Sequence, residues 1–449
     1  MKWLKVGGLV LGGLILLLAV APLFISLNDY VLLIEAQVSA KLKEPVKIAG
    51  LRAGGLPLPH VTVEGISIGK TDDIAIGRVT ITPDLWSLLG STKVIHTIRI
   101  DQLVLTQKAI DKIPVWTKGE PAKPGEPSQP PTVTVKSIRI DNAVVKLRKA
   151  AFGPFHGRLM LNDDNSLDAA SIVTADGKLK ALIKPERSQY RVDARARDWT
   201  LPIGPAIHFD ELVVKVVVTL KGANFRNIRG SLYGGTIAGR TTLSWQKGTR
   251  LTGNASIYQV ELRSLLQALG KPPSMSGKLY ARPVFRANAA GAGQLLKVLH
   301  LETPFDVQNG VLRGVDISDA ATSLFRDKSP SAETRFDQLS GHLVLDRGTR
   351  RFTQLNITAG SLSADGRVTI SPEDELSGRI DTNIEASKVA AASLPLNVSG
   401  TVESPILLPT AGAAAGAAIG TAILGPAGTV IGTAIGSKIE QFFGGDTAQ

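Results

Sequence analysis

The chain contains no cysteine. Neither a disulfide framework nor a thiolate metal site is open to it, although an oxidising compartment stays permitted. Aromatic residues make up only 5% of its 449 residues, too few for much base stacking despite a formal charge of +12. That charge is spread along the chain and reads as a solvated face to which an acidic membrane surface would be attracted; no nucleic acid partner is expected. Histidine is also scarce. The six, at positions 60, 96, 156, 208, 300 and 342, never fall at i, i+3 or i, i+4, which removes the usual helical metal spacings. No Gly-x-Ser-x-Gly elbow occurs, Gly291-Ala292-Gly293 lacks the third glycine of a dinucleotide loop, and Pro426 stands where a phosphate loop starting at Gly420 needs lysine. Asn162-Asp163-Asp164-Asn165 lacks the glycine and final glutamate of a calcium loop and reads as a polar turn. No catalytic residue, metal or cofactor is expected, and the chain is not read as an enzyme.

What is present begins at the N-terminus. Lys2 and Lys5 precede an uncharged apolar run over residues 6–27. At ~1.5 Å per residue its 22 residues reach about 33 Å, enough to cross a bilayer core of roughly 30 Å. The run is longer than the apolar part of a signal peptide and ends on bulky residues, so residues 1–28 are read as an uncleaved transmembrane anchor. The positive-inside rule places the N-terminus in the cytoplasm and the body outside it.

After the anchor, Asp29 is positioned to cap a short helix with Val31, Ile34, Val38 and Leu42 on one face, ended by Pro45. From Val46 the period changes to the alternation of half-buried strands: Val61, Val63, then Ile66, Ile68, later Val79 and Ile81. The body is β-rich. Ile98-Arg99-Ile100-Asp101-Gln102-Leu103-Val104-Leu105 recurs as Ile138-Arg139-Ile140-Asp141-Asn142-Ala143-Val144-Val145, and in both copies the apolar parity slips after the Asp. A turn or bulge there would return the apolar side chains to one face. Six prolines crowd the segment 113–132 between the copies, predicting a linker or exposed loop that joins no ladder. A covered strand is expected at 213–220, and hairpins around Gly234-Gly235 and at Asn309-Gly310. Internal helices are expected only at 261–269 and 293–301. From Ser404 to Ser437 no residue is charged, and glycines recur as Gly412, Gly416, Gly420 and Gly428, Gly432, Gly436. Spacing by four aligns them on one helix face, predicting a glycine-zipper helical hairpin in a tail over 406–449, for close helix packing or membrane contact. The expected divisions are therefore 1–28, 29–112, 113–132, 133–405 and 406–449.

The chain resembles the AsmA family, anchored proteins of the Gram-negative inner membrane whose bodies lie in the periplasm. The likeness runs through Ile34-Glu35 and Pro45-Val46-Lys47-Ile48, Trp86-Ser87-Leu88-Leu89, Tyr233-Gly234-Gly235, and Asn309-Gly310-Val311-Leu312-Arg313-Gly314-Val315-Asp316. It covers about residues 1–405; the glycine tail departs from the shared core, and the body is shorter than in many relatives. The resemblance implies a mostly β fold: a transmembrane helix, then an elongated, curved antiparallel β-sheet forming an open apolar groove, with few helices. It implies phospholipid as partner, with traffic between inner and outer membrane and support of outer-membrane assembly. Groove candidates are Leu343, Leu345, Leu362, Ala364, Val368 and Ile370. The alternatives are a tethered scaffold for outer-membrane or envelope proteins without lipid cargo, and a periplasmic hydrolase. An ordinary closed β-sandwich would leave the same alternation.

Overall fold

The computed structural model describes residues 30–55, 58–89, 91–109, 133–147, 151–202, 204–317, 333–386 and 390–415. The anchor, Asp29, the Pro-rich segment and the glycines from Gly416 to Gly436 lie outside the described residues. Among those described, no helix is long and apolar enough to cross a membrane. The chain divides into two compact units, residues 1–197 and 198–449. The strands on either side of the Pro-rich segment pair with each other and belong to the same unit.

The first unit opens with α1 (Val31–Leu42), whose Val31, Ile34, Val38 and Leu42 turn inward as their spacing requires. Lys43, at φ 56, ends it in the left-handed conformation. Glu35 Oε1 accepts from Ile48 N at 2.6 Å and Ser39 Oγ from Val46 N at 3.0 Å, so α1 runs antiparallel to the strand that follows. That strand is β1 (Val46–Gly54); then come β2 (His60–Ile68), β3 (Ile74–Pro83), β4 (Lys93–Thr106), β5 (Val133–Lys146), β6 (Ala151–Leu161), β7 (Leu167–Thr174), β8 (Leu179–Glu186) and β9 (Gln189–Thr200). Each strand pairs with the next in chain order.

One pairing departs from the expected antiparallel pattern: β4 and β5 are parallel, with Ile98, Arg99, Ile100 and Asp101 opposite Ile138, Arg139, Ile140 and Asp141. The two copies of the repeat thus lie side by side in register. A parallel pair needs a crossover of a dozen residues or more, and the Pro-rich stretch supplies that length. The parity slip is resolved as expected. Gln102 and Asn142 adopt φ 56 and 57, left-handed kinks that put Leu103/Leu105 and Ala143/Val145 back in step with the isoleucines. Beside the kink, Asp141 gathers Arg99 (3.2 Å), Arg139 (3.5 Å) and His156 (3.3 Å). The Asn162–Asn165 segment is indeed a turn: Asn165 accepts from Val135 N and donates to Val133 O, pinning the start of β5.

The second unit holds β10 (His208–Thr219), β11 (Gly222–Leu232), β12 (Gly235–Ser244), β13 (Thr249–Glu261), α2 (Leu262–Ala268), β14 (Met275–Ala281), β15 (Val284–Ala289), β16 (His300–Arg313), β17 (Glu333–Asp346), β18 (Thr349–Ala359), β19 (Leu362–Ile370), β20 (Leu376–Ala386), β21 (Ala390–Gly400) and β22 (Pro405–Pro409). The ladder is antiparallel, and β14 and β15 share one line between β13 and β16. In β10 the consecutive Val216 and Val217 are both buried, as expected of a strand covered on both faces.

Several expectations shift. The hairpin at Gly234-Gly235 turns one residue earlier, on Tyr233 (φ 48) and Gly234 (φ 73), because both central positions of its tight turn need positive φ. Asn309-Gly310 is not a hairpin. Asn309, at φ 50, is a bulge inside β16, and the strand continues to Arg313 with partners on both sides. Gly310 is needed for close approach: a Cβ there would lie 2.2 Å from Phe336 Cζ and 2.4 Å from Ser276 O. The segment 293–301 forms a 3-10 turn at Ala292–Val298 and then enters β16, while α2 fulfils the other helix expectation. Pro405–Pro409 pairs with β21, and a helix begins at Ala411.

Candidate apolar binding face

Alternation gives every strand two faces, and directly opposed residues share one of them. In the second unit the register therefore composes rows. Val260, Leu279, Val307, Leu339, Ile357, Ala364, Thr382 and Leu394 stand opposite one another from β13 to β21. The one hydroxyl in that row, on Thr382, donates to the Leu394 carbonyl at 2.8 Å. A parallel row holds Leu343, Phe352, Val368, Gly378, Val398 and Leu407. Further along the sheet run Val218, Ala223, Leu243, Leu251 and Ala287. The neighbouring rows on the other face are polar, for example Gln308, Gln338, Thr358, Ser363 and Asn383. Bulges keep the rows in phase; Gln354, at φ 52, is the extra residue between the Phe352 and Leu355 pairings of β18.

The sheet of this unit is curved. Met275 pairs with Leu312 at one end of β16, whereas Ile370 lies on the row of Leu301, Leu345 and Arg350 at the other. In a flat sheet, at about 3.3 Å per residue, those two levels would be roughly 36 Å apart. Yet Lys271 Nζ lies 3.2 Å from Asp374 Oδ1, and a Cβ on Gly314 would be 3.5 Å from Pro405 Cδ. Twist and bulges have brought opposite ends together, turning the apolar face inward over β14–β22.

The six predicted residues share one face, but not one environment. Leu362 (6% exposed) and Ala364 (2%) belong to a closed core with Val307, Phe336, Leu339 and Ile357, capped by Val315 and Ile317. The curvature packs them into this core, while the other four stay half-buried. Leu343 and Val368 are half-buried beside Phe352, whose ring meets Phe305 edge-on with centroids 5.9 Å apart. Leu345 and Ile370 flank Arg350, an unexpected charge on the apolar side. Arg350 is neutralised by Asp374, whose carboxyl sits below the usual carboxylate range because of the Arg350 hydrogen bond and, after it, Lys271. Sequence reasoning missed Ile237, Leu243, Leu251 and Ile257 on β12 and β13, half-buried apolar residues alternating with exposed polar ones. Gly253 and Ala255 dilute the apolar signal between Leu251 and Ile257.

Of the predicted glycine face only Gly412 is described. It lies in the first turn of a helix whose Thr410 Oγ1 accepts from Ala413 N at 3.4 Å. Ala413, fully buried, packs on Leu394 and Leu396, so the start of the tail docks on the apolar face.

Among the described residues, open clefts lie on the polar surfaces. One, of about 320 Å³, is lined by His96, Lys136, Arg139 and Arg158; its Ser137 hydroxyl is engaged with Thr97 Oγ1 and the His96 carbonyl. Another, of about 530 Å³, is lined by Arg250, Arg286, His300, Asp346 and Arg347. Beside it the Glu302 carboxyl is lowered by its hydrogen bond from His300. Among the described residues no group of three or more His, Asp or Glu could hold a metal ion.

The chain matches no protein-family model, no curated protein and no solved structure.

Proposed function

We propose that this is an AsmA-like protein, held in the inner membrane by residues 6–27, that binds phospholipid acyl chains along an apolar sheet face. In this reading the body lies in the periplasm, and the face carries lipid between inner and outer membrane. The observation that supports it is the continuous apolar face of the second unit, half-buried rather than sealed over β11–β13 and at Leu343 and Val368. The energetics explain why such a face suffices. A two-chain phospholipid with about 30 methylenes loses on the order of 25 kcal/mol when its tails enter water, at roughly 0.8 kcal/mol per CH₂. A dry surface removes most of that cost without specific contacts or chemistry, which suits a face of Leu, Ile, Val and Phe backed by a polar one.

Photocrosslinking in intact cells tests it. A benzophenone amino acid at Leu243, Leu251, Leu343 or Val368 is expected to yield phospholipid adducts by mass spectrometry. The same probe at Thr242, Thr252 or Arg367, on the polar face, is expected to yield none. Protein adducts without lipid at all four apolar positions would replace the carrier with a tethered scaffold.

A further inference from the structure

The first unit exposes apolar side chains at one end only in a group. α1 runs antiparallel to β1, so its N-terminus points towards the β1–β2 connection. There Tyr30 (56% exposed), Leu32 (76%) and Leu33 (56%) face solvent. At the same end the β1–β2 connection carries Leu58, and the turn that leaves β3 carries Leu85 and Trp86, the last 83% exposed. The other exposed apolar residues described in this unit, Val133, Met160, Leu182 and Tyr190, are spread one to a strand.

The exposure is held rather than accidental. Trp86 N donates to Asp84 Oδ1 at 3.0 Å, Ser87 Oγ donates to the Asp84 carbonyl at 2.7 Å, and Val94 N donates to Ser87 Oγ at 2.8 Å. These bonds fix the turn so that the indole stands outward. His60 Nδ1 lies 2.8 Å from the Leu58 carbonyl and steadies the neighbouring connection. A corner bearing a Trp, a Tyr and four leucines has the composition of a membrane-interface surface, where amphipathic rings sit at headgroup level. The apolar run over 6–27, read as an anchor, ends three residues before Tyr30 in the sequence, which favours a bilayer as the occupant of that corner.

We propose that this corner is a second, interfacial membrane contact: Tyr30, Leu32, Leu33, Leu58, Leu85 and Trp86 rest in the headgroup layer of the bilayer that the anchor crosses. The inference rests on the anchoring read for residues 6–27 and adds to it a fixed seat. The first strands would then stand at the membrane surface at a set angle, instead of swinging on a single tether.

The absence of cysteine makes the test direct. Leu58→Cys, Leu85→Cys and, at the opposite end of β2, Lys70→Cys are each introduced into the full chain, labelled with an environment-sensitive nitrobenzoxadiazole dye and reconstituted in phosphatidylethanolamine–phosphatidylglycerol vesicles. All three positions are exposed, so folding is not at stake. The labels at 58 and 85 are expected to shift their emission to the blue and to be quenched by headgroup-level spin-labelled lipid; the label at 70 is expected to do neither. Protein that floats with the vesicles and resists carbonate extraction, while labels 58 and 85 stay as water-exposed as label 70, overturns the proposal alone. Protein that does not float overturns the anchoring beneath it, and the proposal with it.

Discussion

Replacing Gly310 by alanine tests the reading of Asn309-Gly310 as a bulge inside a packed sheet. The added Cβ would sit 2.2 Å from Phe336 Cζ and 2.4 Å from the Ser276 carbonyl oxygen. A flexible side chain would yield cheaply. Phe336, however, is 4% exposed in the closed core, and the Ser276 oxygen belongs to the backbone of the neighbouring strand β14. Overpacking of this kind costs typically ~1–3 kcal/mol, and a backbone clash places it in the upper half of that range. At about 2–4 °C per kcal/mol for a unit of this size, the melting temperature should fall by roughly 4–12 °C. Gly291→Ala is the control, since a Cβ there meets nothing within 4 Å. Thermal unfolding of both variants by circular dichroism reads the difference. Phe336→Leu in the Gly310→Ala background should return part of the loss, whereas alone it costs stability. A Gly310→Ala melt within a degree of Gly291→Ala would refute the packing and restore the exposed hairpin turn.

Asp374→Asn should flatten the acid limb of stability. The Asp374 carboxyl is held low by Arg350 and Lys271, so its contribution is present above the ordinary carboxylate range and lost as pH falls through the lowered value. Its partial exposure limits the effect to about 1 kcal/mol, measured by urea unfolding at pH 3 to 7. Leu396→Ala, at a fully buried site against Ala413, should cost about 2–5 kcal/mol in the same assay. Leu243→Asp paired with Leu251→Asp should abolish lipid adducts from a probe at Ile257 while shifting the melt far less than Leu339→Asp does in the closed core. Asn142→Gly should be near neutral and Asn142→Val should cost about 1–2 kcal/mol, because φ there is 57.

Much of this architecture is readable in the chain because strand alternation is a local signal. The helix Val31–Leu42 and the kinks at Gln102 and Asn142 follow from spacing alone. The misreadings have a common physical cause. Asn-Gly supplies a left-handed residue equally well to a hairpin or to a bulge, and only the pairing of Val311 and Leu312 with strands on both sides decides between them. The repeat announces two similar strands, but not that they lie side by side in parallel. Leu362 and Ala364 alternate as cleanly as Leu343 or Val368; what buries them is curvature, and that depends on contacts such as Lys271 with Asp374, more than a hundred positions apart in sequence. Leu251 and Ile257 are hard to read from the sequence because glycine and alanine between them weaken the pattern that the sheet nonetheless uses.

The order of the strands has a consequence for how the chain is made. Within each unit almost every strand finds its partner in the one just synthesised, so few long loops must close before contacts form. Folding can advance strand by strand as the polypeptide emerges, each hairpin being templated by the edge already laid down. The parallel join of β4 to β5 is the exception: β5 must wait until the whole Pro-rich crossover has emerged and must enter beside a near-copy of itself. That join is where assembly should pause, and slowing it by lengthening the crossover should delay the first unit without changing its final stability by more than a few tenths of a kcal/mol.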